Sequence, residues 1–74
     1  MNKRKYTFNS TRLQELRQEK KFSMEHLADR CGVTRQAVEQ WEAGRTQPRF
    51  GSILELARIF KVAQSELISV EVAQ

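Results

Sequence analysis

Apolar residues recur at three- and four-residue intervals along most of the chain, which is the spacing of amphipathic α-helices. The clearest case is an unbroken stripe at i, i+3, i+4 and i+7, formed by Met24, Leu27, Ala28 and Cys31. Ser23 before the stripe is a favoured N-cap, and Gly32 after it suits a left-handed C-cap. The pattern therefore predicts a helix, helix 2, between these two residues.

Another helix, helix 3, is predicted directly after a tight turn. Val33 fills the turn, Thr34 caps the new helix and Gly44 stops it. Within helix 3, Val38 and Trp41 face inward. The outward face is polar and consists of Arg35, Gln36, Glu39 and Gln40.

The first twenty residues predict an arm and a helix. Residues 1–8 carry charge and two aromatic side chains without a sustained period, so we expect a flexible basic arm. Helix 1 begins near residues 9–11, where Thr11 has capping-box spacing with Gln14. Two leucines lie on its inward face.

The last third predicts two more helices and a tail. Helix 4 begins between residues 49 and 52, and Ser52 with Glu55 has the spacing of a second capping box. Ser65 caps a final short helix. The tail, residues 69–74, continues an alternation of apolar and polar residues that suits a short strand, a contact with a second subunit, or fraying.

The predicted fold is all-α, with five helices over residues 9–68. A chain of 74 residues forms one domain, because a core of this size is near the lower limit for independent folding. So short a chain lacks the walls of an enclosed substrate pocket. It also has no Gly-rich phosphate loop and no hydrolytic triad, so we do not expect an enzyme.

Basic residues are concentrated in the first fifty positions. The chain has 13 Lys and Arg against 9 Asp and Glu, a formal charge of +4, and 11 of the basic residues precede position 51. A basic face suits a polyanionic partner. Ordinary surface charge that keeps the chain in solution is the equal alternative.

The remaining side-chain chemistry is sparse. Cys31 is the only cysteine, so no internal disulfide forms, and its place in the apolar stripe suits a small buried side chain. His26 has no partner at metal-site spacing, and we predict neither a metal site nor a cofactor. No secretory signal or membrane-length apolar run is present, which favours the cytoplasm.

Two helices around a three-residue turn, the second polar outside, are the sequence form of a helix-turn-helix. This geometry leaves the outer face of helix 3 free for the major groove of DNA. Arg35 can donate twice to guanine, and Glu39 can accept from cytosine N4. Gln36 or Gln40 can pair with adenine. The alternative is a solvated polar face without a partner.

From about Arg12 to Ile68 the chain resembles the Cro and phage-repressor family of helix-turn-helix regulators. The matching residues are Leu16-Arg17, Phe22-Ser23, Leu27-Ala28, Gly32-Val33-Thr34, Val38, Trp41-Glu42, Gly44, Pro48, Leu56-Ala57, Phe60, Val62 and Leu67-Ile68. The resemblance implies a compact five-helix domain like that of lambda repressor. It also implies a homodimer that binds a palindromic operator in double-stranded DNA.

The resemblance further implies contacts with the DNA backbone or the minor groove from the loop after helix 3, through Arg45, Thr46 and Arg49. Ser23 and Thr34 add helix N-termini, which attract phosphates through free amides and the helix dipole. An exposed loop would also carry such polar residues for solubility alone.

In the repressors that the chain resembles, the positions of Arg17 and Glu42 form a partly buried ion pair. Three residues depart from the family pattern. Met24 replaces a common Gln that touches a phosphate, Lys61 replaces the usual Gly after helix 4, and Gln64 occupies a position that is often apolar.

Two other functions fit the same fold: an antitoxin that binds a toxin partner, and a scaffold adaptor. A protein-binding helix would expose aromatic or aliphatic anchors, whereas the outward face of helix 3 is polar. The sequence therefore favours a DNA-binding transcriptional regulator. We predict a homodimer on DNA and expect residues beyond Val62 to form its interface.

Overall fold

The structure, a computed structural model, describes residues 4–72. These residues form four α-helices, a single 3-10 turn (Gln64–Glu66) and a two-stranded sheet. The helices are α1 (Ser10–Glu19), α2 (Met24–Cys31), α3 (Arg35–Glu42) and α4 (Phe50–Phe60), and the strands are β1 (Arg4–Phe8) and β2 (Ile68–Val72). Within this part of the chain, no helix is long and apolar enough to cross a membrane.

The predicted ends of α2 and α3 are confirmed. Ser23 Oγ accepts a hydrogen bond from the backbone N–H of His26 at 3.0 Å, and Thr34 Oγ1 accepts from that of Ala37 at 3.1 Å. Gly32 has φ +70°, the left-handed conformation of a helix C-cap. Local capping chemistry thus fixes both helices.

The predicted caps of α1 and α4 are wrong. Asn9, not Thr11, caps α1, because its Oδ1 accepts from the backbone N–H of Arg12 at 3.0 Å. Helix α4 begins at Phe50 after Arg49 without a side-chain cap, so Ser52 lies inside the helix.

The fifth α-helix is replaced by the 3-10 turn. Its hydrogen bonds run from Glu66 N–H to the carbonyl of Ala63 and from Leu67 N–H to that of Gln64. Ser65 is not a cap, and the chain enters β2 at Ile68. The segment between α4 and β2 is short, and a 3-10 turn is the usual conformation for a helical segment of only three residues.

The sheet corrects the all-α prediction and the prediction of a flexible arm. Strands β1 and β2 pair antiparallel, with Phe8 opposite Ile68 and Arg4 opposite Val72. The C-terminal segment, in which apolar and polar residues alternate, forms the strand that pairs with the N-terminal segment. The domain is therefore mostly helical with a small sheet, and residues 1–3 of the predicted arm and 73–74 of the predicted tail lie outside the described residues.

The core lies where the helical stripes meet. The inward residues predicted for α1 and α3 are buried, whereas in the α2 stripe Met24 and Cys31 are only half-buried. Helix α4 contributes four buried residues to the core. The buried apolar residues are Phe8, Leu13, Leu16, Leu27, Ala28, Val38, Trp41, Ile53, Leu56, Ala57, Phe60 and Leu67. Because this core is shared by all four helices, α2 and α3 are held in one fixed arrangement.

Candidate nucleic-acid interface

A turn of three residues joins α2 to α3. Gly32 adopts the left-handed conformation, and Val33 N–H donates to the carbonyl of Ala28 at 3.0 Å. Val33 is half-buried against the core. The chain therefore reverses within one turn, so that α3 packs across α2 with one face outward.

Helix α3 separates buried from exposed side chains as its sequence predicts. Val38 and Trp41 are buried. On the other face, Arg35, Gln36 and Glu39 are exposed and Gln40 is half-buried. The polar groups on this face are thus available to a ligand that approaches α3 from outside.

Arg35 and Glu39 lie one turn apart on this outer face. Arg35 Nη1 is 3.9 Å from Glu39 Oε2, and about half of each side chain is exposed. An exposed pair at this separation contributes little stability. The guanidinium can therefore leave the carboxylate without a large cost.

Arg17 and Glu42 form an ion pair that joins α1 to α3. Arg17 Nη2 donates to Glu42 Oε1 at 3.0 Å, and a second, shorter bond joins Nε to Oε2. Arg17 Nη1 also donates to the carbonyl of Phe22 at 2.8 Å. The Glu42 side chain is only 3% exposed. The pair fixes the C-terminal end of α3 against α1 and the turn after it.

The loop between α3 and α4 is anchored at both ends. Gly44 has φ +74°, and Arg45 N–H donates to the carbonyl of Gln40 at 3.0 Å. Pro48 is fully buried. Between and beyond these anchors, Arg45, Thr46 and Arg49 are exposed. Two guanidinium groups and a hydroxyl therefore extend from a backbone of fixed shape.

The start of α2 departs from the family pattern at Met24. This side chain is half-buried and packs against the core, whereas Ser23 before it is exposed. Met24 has no donor for a phosphate. At the start of α2, the backbone amides and the Ser23 hydroxyl remain as groups that can bind an anion.

Two side chains join α1 and the loop after α3 to distant parts of the chain. Arg12 Nη2 lies 3.0 Å from Glu66 Oε1, and Arg12 Nη1 lies 3.2 Å from Glu15 Oε1, so it ties α1 to the 3-10 turn. Gln47 Oε1 accepts from Phe8 N–H at 3.2 Å. The Arg12–Glu15 spacing is a local signal for an ion pair. The contacts of Arg12 with Glu66 and of Gln47 with Phe8 join distant parts of the chain, so no local sequence signal predicts them.

His26 and Cys31 both pack against neighbouring side chains. The exposed His26 ring packs edge-to-face on Phe22, with centroids 4.6 Å apart. Partial burial, assisted by the charge of Glu55, raises the pKa of the Cys31 thiol to about 11. At neutral pH this thiol is protonated and a weak nucleophile. Over residues 4–72 no cluster of His, Cys, Asp and Glu could hold a metal ion.

The tight turn, the buried inner face of α3 and its polar outer face define a helix-turn-helix domain. The sequence profile of the helix-turn-helix family matches residues 13–67. The chain therefore belongs to this family, in the branch of Cro and the phage repressors.

Several known proteins are similar to the chain. The transcriptional activator BcrR of Enterococcus faecalis is 37% identical over 60 residues, which are 81% of this chain and 29% of BcrR. The restriction-modification controller protein C.AhdI of Aeromonas hydrophila matches with a TM-score of 0.71 and 35% identity, over 77% of this chain and 86% of C.AhdI. The DNA-binding domain of the P22 C2 repressor matches with a TM-score of 0.71 and 25% identity, over 76% of this chain and 74% of that domain. Because the chain spans less than a third of BcrR, it corresponds to one part of that larger protein.

Proposed function

We propose that the chain is a transcriptional regulator that binds double-stranded DNA sequence-specifically, with α3 in the major groove. The observation that carries the proposal is the polar outer face of α3, held outward on a buried frame. Membership of the helix-turn-helix family and similarity to an activator, a controller protein and a repressor support it.

In this proposal, four side chains of α3 contact base edges. Arg35 follows the Thr34 cap, and the first residues of the second helix enter the groove deepest in this motif. Its guanidinium suits guanine O6 and N7, whereas Glu39 suits cytosine N4. The amides of Gln36 and Gln40 suit adenine N6 and N7.

A second group of residues contacts phosphates and fixes the register on DNA. Arg45, Thr46 and Arg49 extend from the anchored loop after α3. Ser23 and Thr34 mark the N-termini of α2 and α3, where the helix dipole favours an anion. These contacts carry no sequence information and supply affinity for any duplex.

The protein acts as a homodimer on a palindromic operator. One α3 contacts only a few base pairs, and two copies on one face of the duplex double the specific contacts. Half-sites are then about 34 Å apart. The C-terminal tail is the proposed interface, because β2 has only β1 as a neighbour over residues 4–72 and its other edge is open.

The test is a selection from random duplex DNA with the 74-residue chain, followed by binding titrations on the enriched site and a scrambled duplex. We expect a two-fold symmetric site, bound at least about a thousandfold more tightly than the scrambled one, the lower end of the usual range of specific recognition. Sedimentation of the complex counts subunits per site. Equal binding to both duplexes at moderate salt would contradict sequence-specific binding, and one subunit per site at saturation would contradict the dimer.

A further inference from the structure

The middle of the loop between α3 and α4 is fastened to the N-terminal strand. Gln47 lies between the exposed Thr46 and the buried Pro48, and its Oε1 accepts a hydrogen bond from the backbone N–H of Phe8 at 3.2 Å. The two residues are 39 positions apart in sequence. This bond therefore connects the candidate phosphate-binding loop, residues 45–49, with strand β1 of the sheet.

The Phe8 side of this bond is a rigid anchor. Phe8 is 5% exposed, and the next residue, Asn9, donates its backbone N–H to the carbonyl of Leu67 at 2.7 Å. Asn9 also caps α1 through its side chain. Because a buried backbone N–H needs a partner, the amide of Phe8 favours the bond with Gln47 over exposure to solvent.

We propose that Gln47 is a positioning residue for DNA binding. By accepting from Phe8, it holds the backbone of residues 45–49 in the conformation in which Arg45, Thr46 and Arg49 meet phosphates. A loop that is ordered before binding loses less conformational entropy on DNA. This inference rests on the proposed function, and it adds a residue that need not touch DNA.

Phosphate contacts are common to every DNA sequence. Loss of the Gln47 bond is therefore expected to weaken binding to all duplexes by the same factor. Gln47→Met removes the acceptor but keeps the length and neutrality of the side chain. Gln47→Glu keeps an acceptor oxygen at the same position, and Gln18→Met makes the same change at an exposed glutamine on α1 as a control.

The experiment measures dissociation constants on the selected site and on a scrambled duplex, at a temperature where every variant is folded. Hydrogen exchange of the Phe8 amide is measured by NMR without DNA. For Gln47→Met we expect a loss of affinity of about 3- to 10-fold on both duplexes, the size of one ordering cost, with an unchanged ratio between them. We also expect faster exchange at Phe8, restored protection in Gln47→Glu, and no change in Gln18→Met.

Three results would overturn the inference, and they can be told apart. Faster exchange at Phe8 with unchanged affinity would show that the bond does not position the loop, while the proposed function stands. A loss confined to the selected site would make Gln47 a base contact. Failure of the unsubstituted chain to bind either duplex would overturn the proposed function itself, together with this inference.

Discussion

The ion pair between Arg17 and Glu42 offers a direct test of how α3 is held. We consider Arg17→Met, which keeps the aliphatic length of the side chain but removes three hydrogen bonds: two to Glu42 and one to the carbonyl of Phe22. The Glu42 carboxylate, 3% exposed, is then left without its cation.

The magnitude follows from burial. Removal of one partner from a fully buried pair costs about 3 to 5 kcal/mol, because the remaining charge is uncompensated. The Arg17 side chain is 13% exposed, so we expect the lower end of this range. A domain of 74 residues has a total free energy of unfolding of about 4 to 11 kcal/mol. The substitution therefore removes a large part of the stability and lowers the Tm by more than about 12 °C.

The assay is thermal and urea unfolding followed by circular dichroism. Arg12→Met is the matched control, because Arg12 lies on the same helix and has three carboxylate neighbours, but its side chain is more exposed, 31% against 13% for Arg17. We expect a much smaller loss there. Arg17→Met with Glu42→Met together should recover part of the loss, since no buried charge remains. Equal losses at positions 12 and 17, or a double variant less stable than Arg17→Met, would refute the reasoning.

Further predictions concern the helix ends, the thiol and the DNA contacts. Lys61→Gly should raise the free energy of unfolding by up to about 1 kcal/mol in urea titrations, because Lys61 has φ +56° and only Gly adopts this conformation without strain. Gly32→Ala, at φ +70°, should lower it. Alkylation of Cys31 in the folded protein should be slow at pH 7 and should accelerate up to about pH 11, the pKa of its thiol. An alkylation rate equal to that of the unfolded protein would contradict the partial burial of this thiol. Arg35→Ala should relax base preference at one position per half-site at a cost of about 1 to 3 kcal/mol, whereas Arg49→Ala should weaken all duplexes alike and reduce the salt slope by roughly one per subunit. Unchanged base preference in Arg35→Ala would contradict its role as a base contact.

Local chemistry explains which parts of the fold could be predicted from the sequence. Ser23 and Thr34 were identifiable as caps because each precedes an apolar stripe and acts within three residues. Gly32 marks its turn for the same reason. The buried and exposed faces of α3 follow from the helical period alone. All these features depend on residues that lie close together in the chain.

The remaining features depend on residues far apart in sequence. Strand β1 forms because β2, some sixty residues later, pairs with it. The five residues of β1 do not by themselves predict this pairing. Asn9 rather than Thr11 caps α1, in a stretch with several suitable residues, because the exit of β1 sets where the helix begins. The bond of Gln47 with Phe8 depends on the same closure. The candidate base-contacting residues of α3 could be proposed from the sequence, whereas the long-range contacts that hold the domain together are visible only in the structure.

The support of α3 matters because a helix of eight residues is not stable alone in water. Its start is fixed by the Gly32 turn and the Thr34 cap, and its end by the pair of Glu42 with Arg17. Base contacts need their side chains held to within a fraction of an ångström of a productive geometry. Substitutions of the residues that hold α3 should therefore lower DNA affinity in proportion to the lost stability, although these residues do not contact DNA. In the folded fraction, the dependence of affinity on salt should stay unchanged. A phosphate contact such as Arg49 should show the reverse, a changed salt slope at unchanged stability, and this separates the two kinds of residue by experiment.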